Sequence, residues 1–227
     1  MPGERIDHGI ERQRHQGFVG RDALLATLDG LLVGGPGMGK SALLAAWLAR
    51  REAAGAVVPH HFIRRGEYDW DDPAKLVGSP VAQIEERFPD QRELESDARR
   101  HPTARLAAML LRVSVKELVP RSERLVVMID GLDEYDPGTA VGDPLAAFLP
   151  HALPRGVSFL CASRPRHPYV PMMEARDGEV VRIDLDAPDA AADNDATVRE
   201  LWQQTAESLE LDEGFVEEAV ARAGGNL

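Results

Sequence analysis

At 227 residues with 44% hydrophobic and 5% aromatic content, the chain has the length and apolar share of a globular protein with a sizeable core. A formal net charge of −12 argues against general nucleic-acid binding, which needs clustered Lys and Arg to displace counterions from phosphates. Pairs such as Arg64-Arg65 and Arg99-Arg100 read as solvated faces instead, no apolar run approaches the roughly 20 residues that cross a bilayer, and no membrane or direct nucleic-acid partner is expected.

Residues 1–17 are polar, lack a sustained period and carry no apolar signal-peptide segment, so they are expected to form an arm or linker. From Arg21 to Leu28 the pattern suits a short helix, closed by the turn signal Asp29-Gly30. Leu31-Leu32-Val33 is a very short apolar strand that runs straight into glycines, and Ser41 to Arg50 is a helix of Ala, Leu and Trp. A second strand is predicted near residues 57–63, followed by helices at about 73–87 and 103–118. Leu125 to Ile129 and Val157 to Cys161 have the composition of buried strands, and Val180 to Leu185 alternates like an edge strand. Strands alternating with helices predict an α/β fold with a parallel sheet.

After Ala187 the composition shifts to an acidic, Ala-rich linker at 188–195, then helical patterns at 196–209 and 213–223. The expected division is an arm at 1–17, a nucleotide-binding domain at 18–187, and the start of a small helical subdomain at 188–227, within a larger protein.

Gly34-Gly35-Pro36-Gly37-Met38-Gly39-Lys40-Ser41 fits the phosphate-loop pattern G-x-x-x-x-G-K-[ST] at every fixed position, between an apolar run and a helix. Glycines let the backbone aim N–H groups at phosphate oxygens, and the helix N-terminus adds partial positive charge. Lys40, one of only three lysines, would reach the outer phosphates; the Ser41 hydroxyl would ligate Mg2+; Ala42 continues the loop into the helix. Leu125 to Asp130 reads as a buried strand ending in a carboxylate able to hold the same Mg2+. Gly131-Leu132-Asp133-Glu134 follows, so Asp133 or Glu134 could orient or deprotonate an attacking water. Arg164, in Ser163-Arg164-Pro165 at the carboxyl end of a strand, could read a terminal phosphate, with Arg166 as a weaker alternative. His60 and His61 are adjacent on a strand and point to opposite faces, which is not metal-ligand spacing; Trp47 and Trp70 read as packing residues. Cys161 is the sole cysteine, so it makes no internal disulfide, fits a cytoplasmic setting and has no evident activating partner.

Taken together, residues 34–41, Val126 to Glu134 and Ala162-Ser163-Arg164-Pro165 resemble the NACHT branch of the STAND signalling ATPases, with Asp-Gly-Leu-Asp-Glu at 130–134 the most discriminating element. Phe18-Val19-Gly20-Arg21 is similar to the leading motif of that class, whose backbone lies against adenine, and Gly225-Asn226-Leu227 to the beginning of its Gly-x-Pro loop. The resemblance covers residues 18–227. It implies a P-loop NTPase three-layer sandwich with a mainly parallel five-stranded sheet. It also implies ATP or ADP with Mg2+ as cofactors, held by Val19, Gly20 and Arg21 and by residues 35–42. Asp130 and Ser41 would serve the metal, Asp133 or Glu134 the water, and Arg164 nucleotide sensing. The class behaves as slow, self-associating ATPase switches with fused effector and sensor domains, and bacterial members serve antiphage defence. The Arg- and Ala-rich composition points to a high-GC bacterial source. A binding module without hydrolysis and an AAA+-like motor are the alternatives. The resemblance departs between Arg21 and Gly34: only 12 residues separate them, so either the helix and strand before the loop are short here or segments usual in the class are missing.

Overall fold

The computed structural model describes residues 5–15, 18, 20–28, 30–66, 69–92, 101–138, 142–209 and 213–223. Val19, Arg99-Arg100 and Gly225-Asn226-Leu227, singled out in the sequence, lie outside the described residues.

Five strands, β1 (Leu31–Val33), β2 (His60–Phe62), β3 (Leu125–Asp130), β4 (Val157–Ser163) and β5 (Arg182–Asp184), form one sheet in the order β2-β3-β4-β1-β5, and every pairing is parallel. Helices α1 (Gly9–Arg14), α2 (Asp22–Thr27), α3 (Lys40–Ala53), α4 (Pro73–Arg87), α5 (Pro102–Val113), α6 (Tyr169–Glu174), α7 (Pro188–Leu209) and α8 (Glu213–Ala223) are the longer helices, with a π-helical turn at Ser114–Leu118, a single helical turn at Val119–Arg121 and short 3-10 turns between them. The α/β class with a five-stranded parallel sheet agrees with the architecture expected of a P-loop NTPase sandwich.

Alternation along the strands divides the core into two clusters. Leu31, Val33, Val127, Ile129, Phe159 and Cys161 pack with α4 and α5 through Leu76, Val81, Ile84, Leu106 and Leu110. Leu32, Met128, Leu160, Ala162 and Phe62 pack with α2 and α3 through Leu25, Leu43, Leu44 and Leu48. Helices therefore cover both faces, which is why β3 and β4 carry apolar residues on both faces rather than on one.

The three residues of β1 suffice because the strand is central. Leu31, Leu32 and Val33 are fully buried, paired with Cys161 to Ser163 on one side and Arg182 to Asp184 on the other. The short helix and strand between Arg21 and Gly34 are α2 and β1.

Two expected connectors are structured. Residues 5–15, read as an arm, include α1 and dock along β2: Ile6 N–H donates to Ser79 Oγ at 3.2 Å, and His8 is buried against His60, His61, Phe62 and Trp70. The segment reads as a linker because the contacts that dock it are to distant residues, which local periodicity cannot reveal. Residues 188–195, also read as a linker, are the first turns of α7; their alanines support helix, and Asn194 is buried beneath Leu185, whose carbonyl accepts from its side chain at 2.9 Å. Helix α5, expected to run to 118, ends at Val113 and continues as a π-helical turn at Ser114–Leu118.

β2 is an edge strand. Pro59 O and Ile63 N–H bond to β3, so His60 directs its N–H and C=O outward. Gln83 of α4 meets both, accepting from His60 N–H at 3.0 Å and donating to His60 O at 2.8 Å. A side chain thus takes the place of a neighbouring strand and blunts the edge.

Candidate functional site

The candidate site lies at the carboxyl ends of the strands, where open parallel sheets bind ligands. β1 has β4 on one side and β5 on the other, and residues 34–39 turn directly from its end into α3. Gly37 and Gly39 sit at positive φ, 80° and 73°, and Gly39 precedes the first residue of the helix. Pro36 and Gly37 are exposed at the tip, while Ser41 and Ala42 stand half-buried in the first turn of α3. Lys40 Nζ folds back to donate to Gly34 O at 2.7 Å and Gly35 O at 2.9 Å. Burial lowers the Lys40 pKa, while the charges of Asp133 and Asp130 oppose that shift.

The Gly35 N–H already donates to a carboxylate: Asp186 Oδ2 lies at 2.9 Å and Oδ1 at 3.2 Å. Asp186 stands in for an anionic oxygen, and its contact demonstrates that this amide is turned outward and able to take one.

β4 separates β1 from β3, and Asp130 at the end of β3 is 1% exposed. The next residue, Gly131, has φ of 77°, and a Cβ there would lie 2.8 Å from Ile63 O and 3.2 Å from Arg64 Nη1. The Asp-Gly-Leu-Asp-Glu run therefore requires glycine at its second position for both reasons, and the turn it allows is the 3-10 turn Leu132–Glu134.

Two arginines divide the three acids. Arg164, with a side chain 58% exposed, holds Asp133: its Nε is 2.8 Å from Oδ2 and its backbone N–H donates to Oδ1 at 3.2 Å. Arg166 is exposed. Arg64, on no sequence motif, lies just after β2. Its Nη2 donates to Asp130 Oδ2 at 3.3 Å and Ser41 Oγ at 3.4 Å, and its Nη1 to Glu134 Oε1 at 3.2 Å. Nη2 also contacts Glu11 of α1, with Nε 3.2 Å from the same Oε1. Burial works against the Arg64 charge, but Asp130, Glu11 and Glu134 outweigh it and raise the pKa. Glu134 is pushed upward by its own burial, with Arg64 pulling the other way.

The donor set of Ser41 and Asp130 fits a hard cation: one hydroxyl, one buried carboxylate, and a position already taken by positive charge. Ser41, Asp130, Lys40 and residues 34–39 would thus hold a Mg2+–polyphosphate, with Glu134 within the same hydrogen-bonded group. No group of three or more His, Cys, Asp or Glu with metal-ligating geometry occurs among the described residues. Cys161 is fully buried and its thiol is pushed up to about 12 by burial, which removes it as a nucleophile.

Arg21 does more than lie in a leading motif. Buried and in the left-handed region at φ 53°, it donates from Nη1 to Met38 O at 2.9 Å and from Nη2 to Asn194 of α7. Gly20 lies against α7 so closely that a Cβ would meet Thr197 Oγ1 at 2.6 Å. The loop, the 20–21 turn and α7 are therefore clasped together by one side chain. Glu11 is a site residue that sequence reasoning missed, and the reading of Arg64-Arg65 as a solvated face fails for Arg64, whose side chain is 13% exposed because the fold brings Glu11, Asp130 and Glu134 around it.

A family profile described as nephrocystin 3, N-terminal, matches residues 30–164, more than half of the chain, from just before β1 to the arginine after β4. No curated protein and no solved structure matches the chain. No helix among the described residues is long and apolar enough to cross a membrane.

Proposed function

This chain belongs to the nephrocystin 3 N-terminal family, and from that premise and the site geometry we propose that it is an ATP- and ADP-binding switch domain of the NACHT type, with slow Mg2+-dependent hydrolysis. The observation that carries the reading is the convergence of the 34–41 loop, Asp130 and Arg164 at the carboxyl end of one parallel sheet. Lys40 and the loop amides would bind the phosphates, while Ser41 and Asp130 would hold Mg2+. The metal would neutralise charge that builds on the phosphate oxygens. Glu134 is the better candidate for orienting and deprotonating water: Asp133 is tied down by Arg164, whereas burial raises the proton affinity of Glu134. Arg164, exposed and next to the loop, would exchange Asp133 for a terminal phosphate and so distinguish ATP from ADP. In this reading the domain serves a larger signalling protein of bacterial defence that self-associates when nucleotide is exchanged.

A second reading, a module that binds nucleotide without turnover, is favoured by the hold of Arg64 on both Asp130 and Glu134. Glu134→Gln separates the two. The hydrolase reading expects turnover of radiolabelled ATP to fall by about 100-fold or more, the usual contribution of a positioned base, while fluorescent-nucleotide affinity stays within about threefold. A wild-type protein that binds ATP and shows no turnover above the Glu134→Gln background supports the module. A protein that binds neither ATP nor ADP, with or without Mg2+, overturns both.

A further inference from the structure

Arg64 lies at the meeting point of four segments that are remote in sequence. Glu11 comes from α1, Ser41 from α3, Asp130 from the end of β3 and Glu134 from the turn beyond it. With Ile63 O also accepting from Nη1 at 2.8 Å, every nitrogen of the guanidinium has a partner. Its side chain is 13% exposed, and that of Glu11 is 4% exposed. A long cation this completely satisfied is held in one place rather than sampling solvent.

That place is the Ser41–Asp130 seat. A Mg2+ ion binds oxygen at about 2.0–2.1 Å in a nearly octahedral shell. A guanidinium nitrogen 3.3 Å from Asp130 Oδ2 and 3.4 Å from Ser41 Oγ stands where such an ion and its waters would have to be. Two cations cannot share one carboxylate at this spacing without strong repulsion. Resting on the nucleotide-binding reading above, we infer that Arg64 is a built-in cation of the metal seat, which Mg2+ must displace when nucleotide loads. Glu11 makes the arrangement a clasp: it grips the guanidinium through Nε and through Nη2, the nitrogen that also meets Asp130, and α1 is itself fixed by the burial of His8 and by the Arg12–Glu52 ion pair. Because linkage is reciprocal, whatever Arg64 costs metal loading, metal loading costs the clasp. The docked N-terminal segment is thereby coupled to the state of the site.

The test titrates Mg2+ at a fixed concentration of fluorescent ADP and reads the Mg2+ concentration giving half-maximal binding, in the full chain. Arg64→Met is combined with Glu11→Gln so that Glu11 is not left as a buried carboxylate without its cation, while Asp130 stays open to Mg2+; Glu11→Gln alone is the control, and Arg64→Lys keeps a competing charge. Displacement expects the double variant to need at least about fivefold less Mg2+ than wild type, the lower end of coupling between linked sites. It also expects Arg64→Lys to remain near wild type, and no gain for the double variant in EDTA. An unchanged Mg2+ requirement in a double variant that still binds nucleotide overturns the inference and leaves the nucleotide-binding reading intact. Weaker binding of the double variant at every Mg2+ concentration overturns it in favour of Arg64 as a phosphate ligand. A wild-type protein that binds no ADP under any condition overturns the nucleotide-binding reading, and the inference with it.

Discussion

The phosphate loop and the flank of the sheet formed by β2 meet at Ser41, yet they are assembled from contacts of very different range. Lys40 is held by carbonyls five and six residues away. The β2 flank is held by Arg64 reaching Glu11, Asp130 and Glu134 at separations of 53, 66 and 70 residues, and by Ile6 reaching Ser79 at 73. The lysine's hold on the loop is local, although Asp186 and Arg21 also reach the loop from outside it. The flank exists only once the chain has brought its remote segments together, and it is there that buried ionisable groups accumulate.

The strongest way to break this contrast is to remove a long-range contact that local structure cannot replace. Gln83→Leu would leave the outward N–H and C=O of His60 buried without partners, and at about 1–3 kcal/mol for each such group the expected loss of folding stability is about 3 kcal/mol. Urea unfolding measures it. A loss under about 1 kcal/mol would mean that the β2 edge opens to water and that the flank is looser than its burial suggests.

Lys40→Ala sharpens the other side of the comparison. Losing a charged donor to phosphate removes about 2 kcal/mol, or about 30-fold in nucleotide affinity. The thermal midpoint without nucleotide should hardly move, because the ammonium is bonded within the fold to two carbonyls of its own loop and to no distant segment. Calorimetric titration with ADP and a melt of the unliganded protein provide the two numbers.

Gly131→Ala probes the seam between the two regions. A Cβ at positive φ costs about 1–2 kcal/mol, and here it also presses on Ile63 O and Arg64. The expected outcome is a stability loss of about 2 kcal/mol accompanied by a changed Mg2+ requirement for nucleotide. A stability loss with unaltered Mg2+ response would separate the turn from the cation seat.

The smallest expected effect is graded with pH. Burial, then the neighbouring His61 and His60, lower the His8 pKa from 6.5 to about 2; burial lowers that of His61 to about 4. Glu11 and Arg64 are the other charged groups acting on His8. Because the folded pKa values lie below the unfolded ones, the undocked state takes up protons first. Docking of residues 5–15 is therefore fully stable above about pH 6.5 and weakens as pH falls, by at most about 1.4 kcal/mol per pH unit for each group. Glu11 adds to this at lower pH: its bond to His15 leads, outweighing the opposing effect of burial together with the Arg64 contacts, and lowers its pKa from 4.5 to about 2, so its contribution is lost from about pH 4.5 downward. Fluorescence of Trp70, which packs edge-on against His8 with ring centroids 4.6 Å apart, should change between pH 7 and 5. The change should flatten in His8→Phe, and a pH-independent signal in the wild type would mean that His8 is not sealed under α1.

How much of this was legible in advance follows the same division by range. The strands at Leu31, Leu125 and Val157 and the helices at 40–53 and 73–87 were visible because a buried strand and an amphipathic helix write their burial directly into consecutive residues. Asp130 was visible because it ends such a strand. The helical start of α7 was obscured by acidic residues typical of linkers, and α1 by its short length, since six residues cannot display a period.

By itself, then, the sequence determined the parallel α/β architecture, the short central strand and the loop that follows it, because each is specified by residues within one or two turns of one another. Only the tertiary structure decided that Arg64 would sit on Asp130 and Ser41, that Glu11 would grip it, and that Arg21 would join the loop to α7. Arginine carries no positional signature: its long side chain reaches several ångströms from its backbone, and its partner is chosen by whichever acids the fold delivers there. Burial of those acids makes that choice energetically consequential, since a carboxylate removed from water must find a cation, and the chain supplies one of its own.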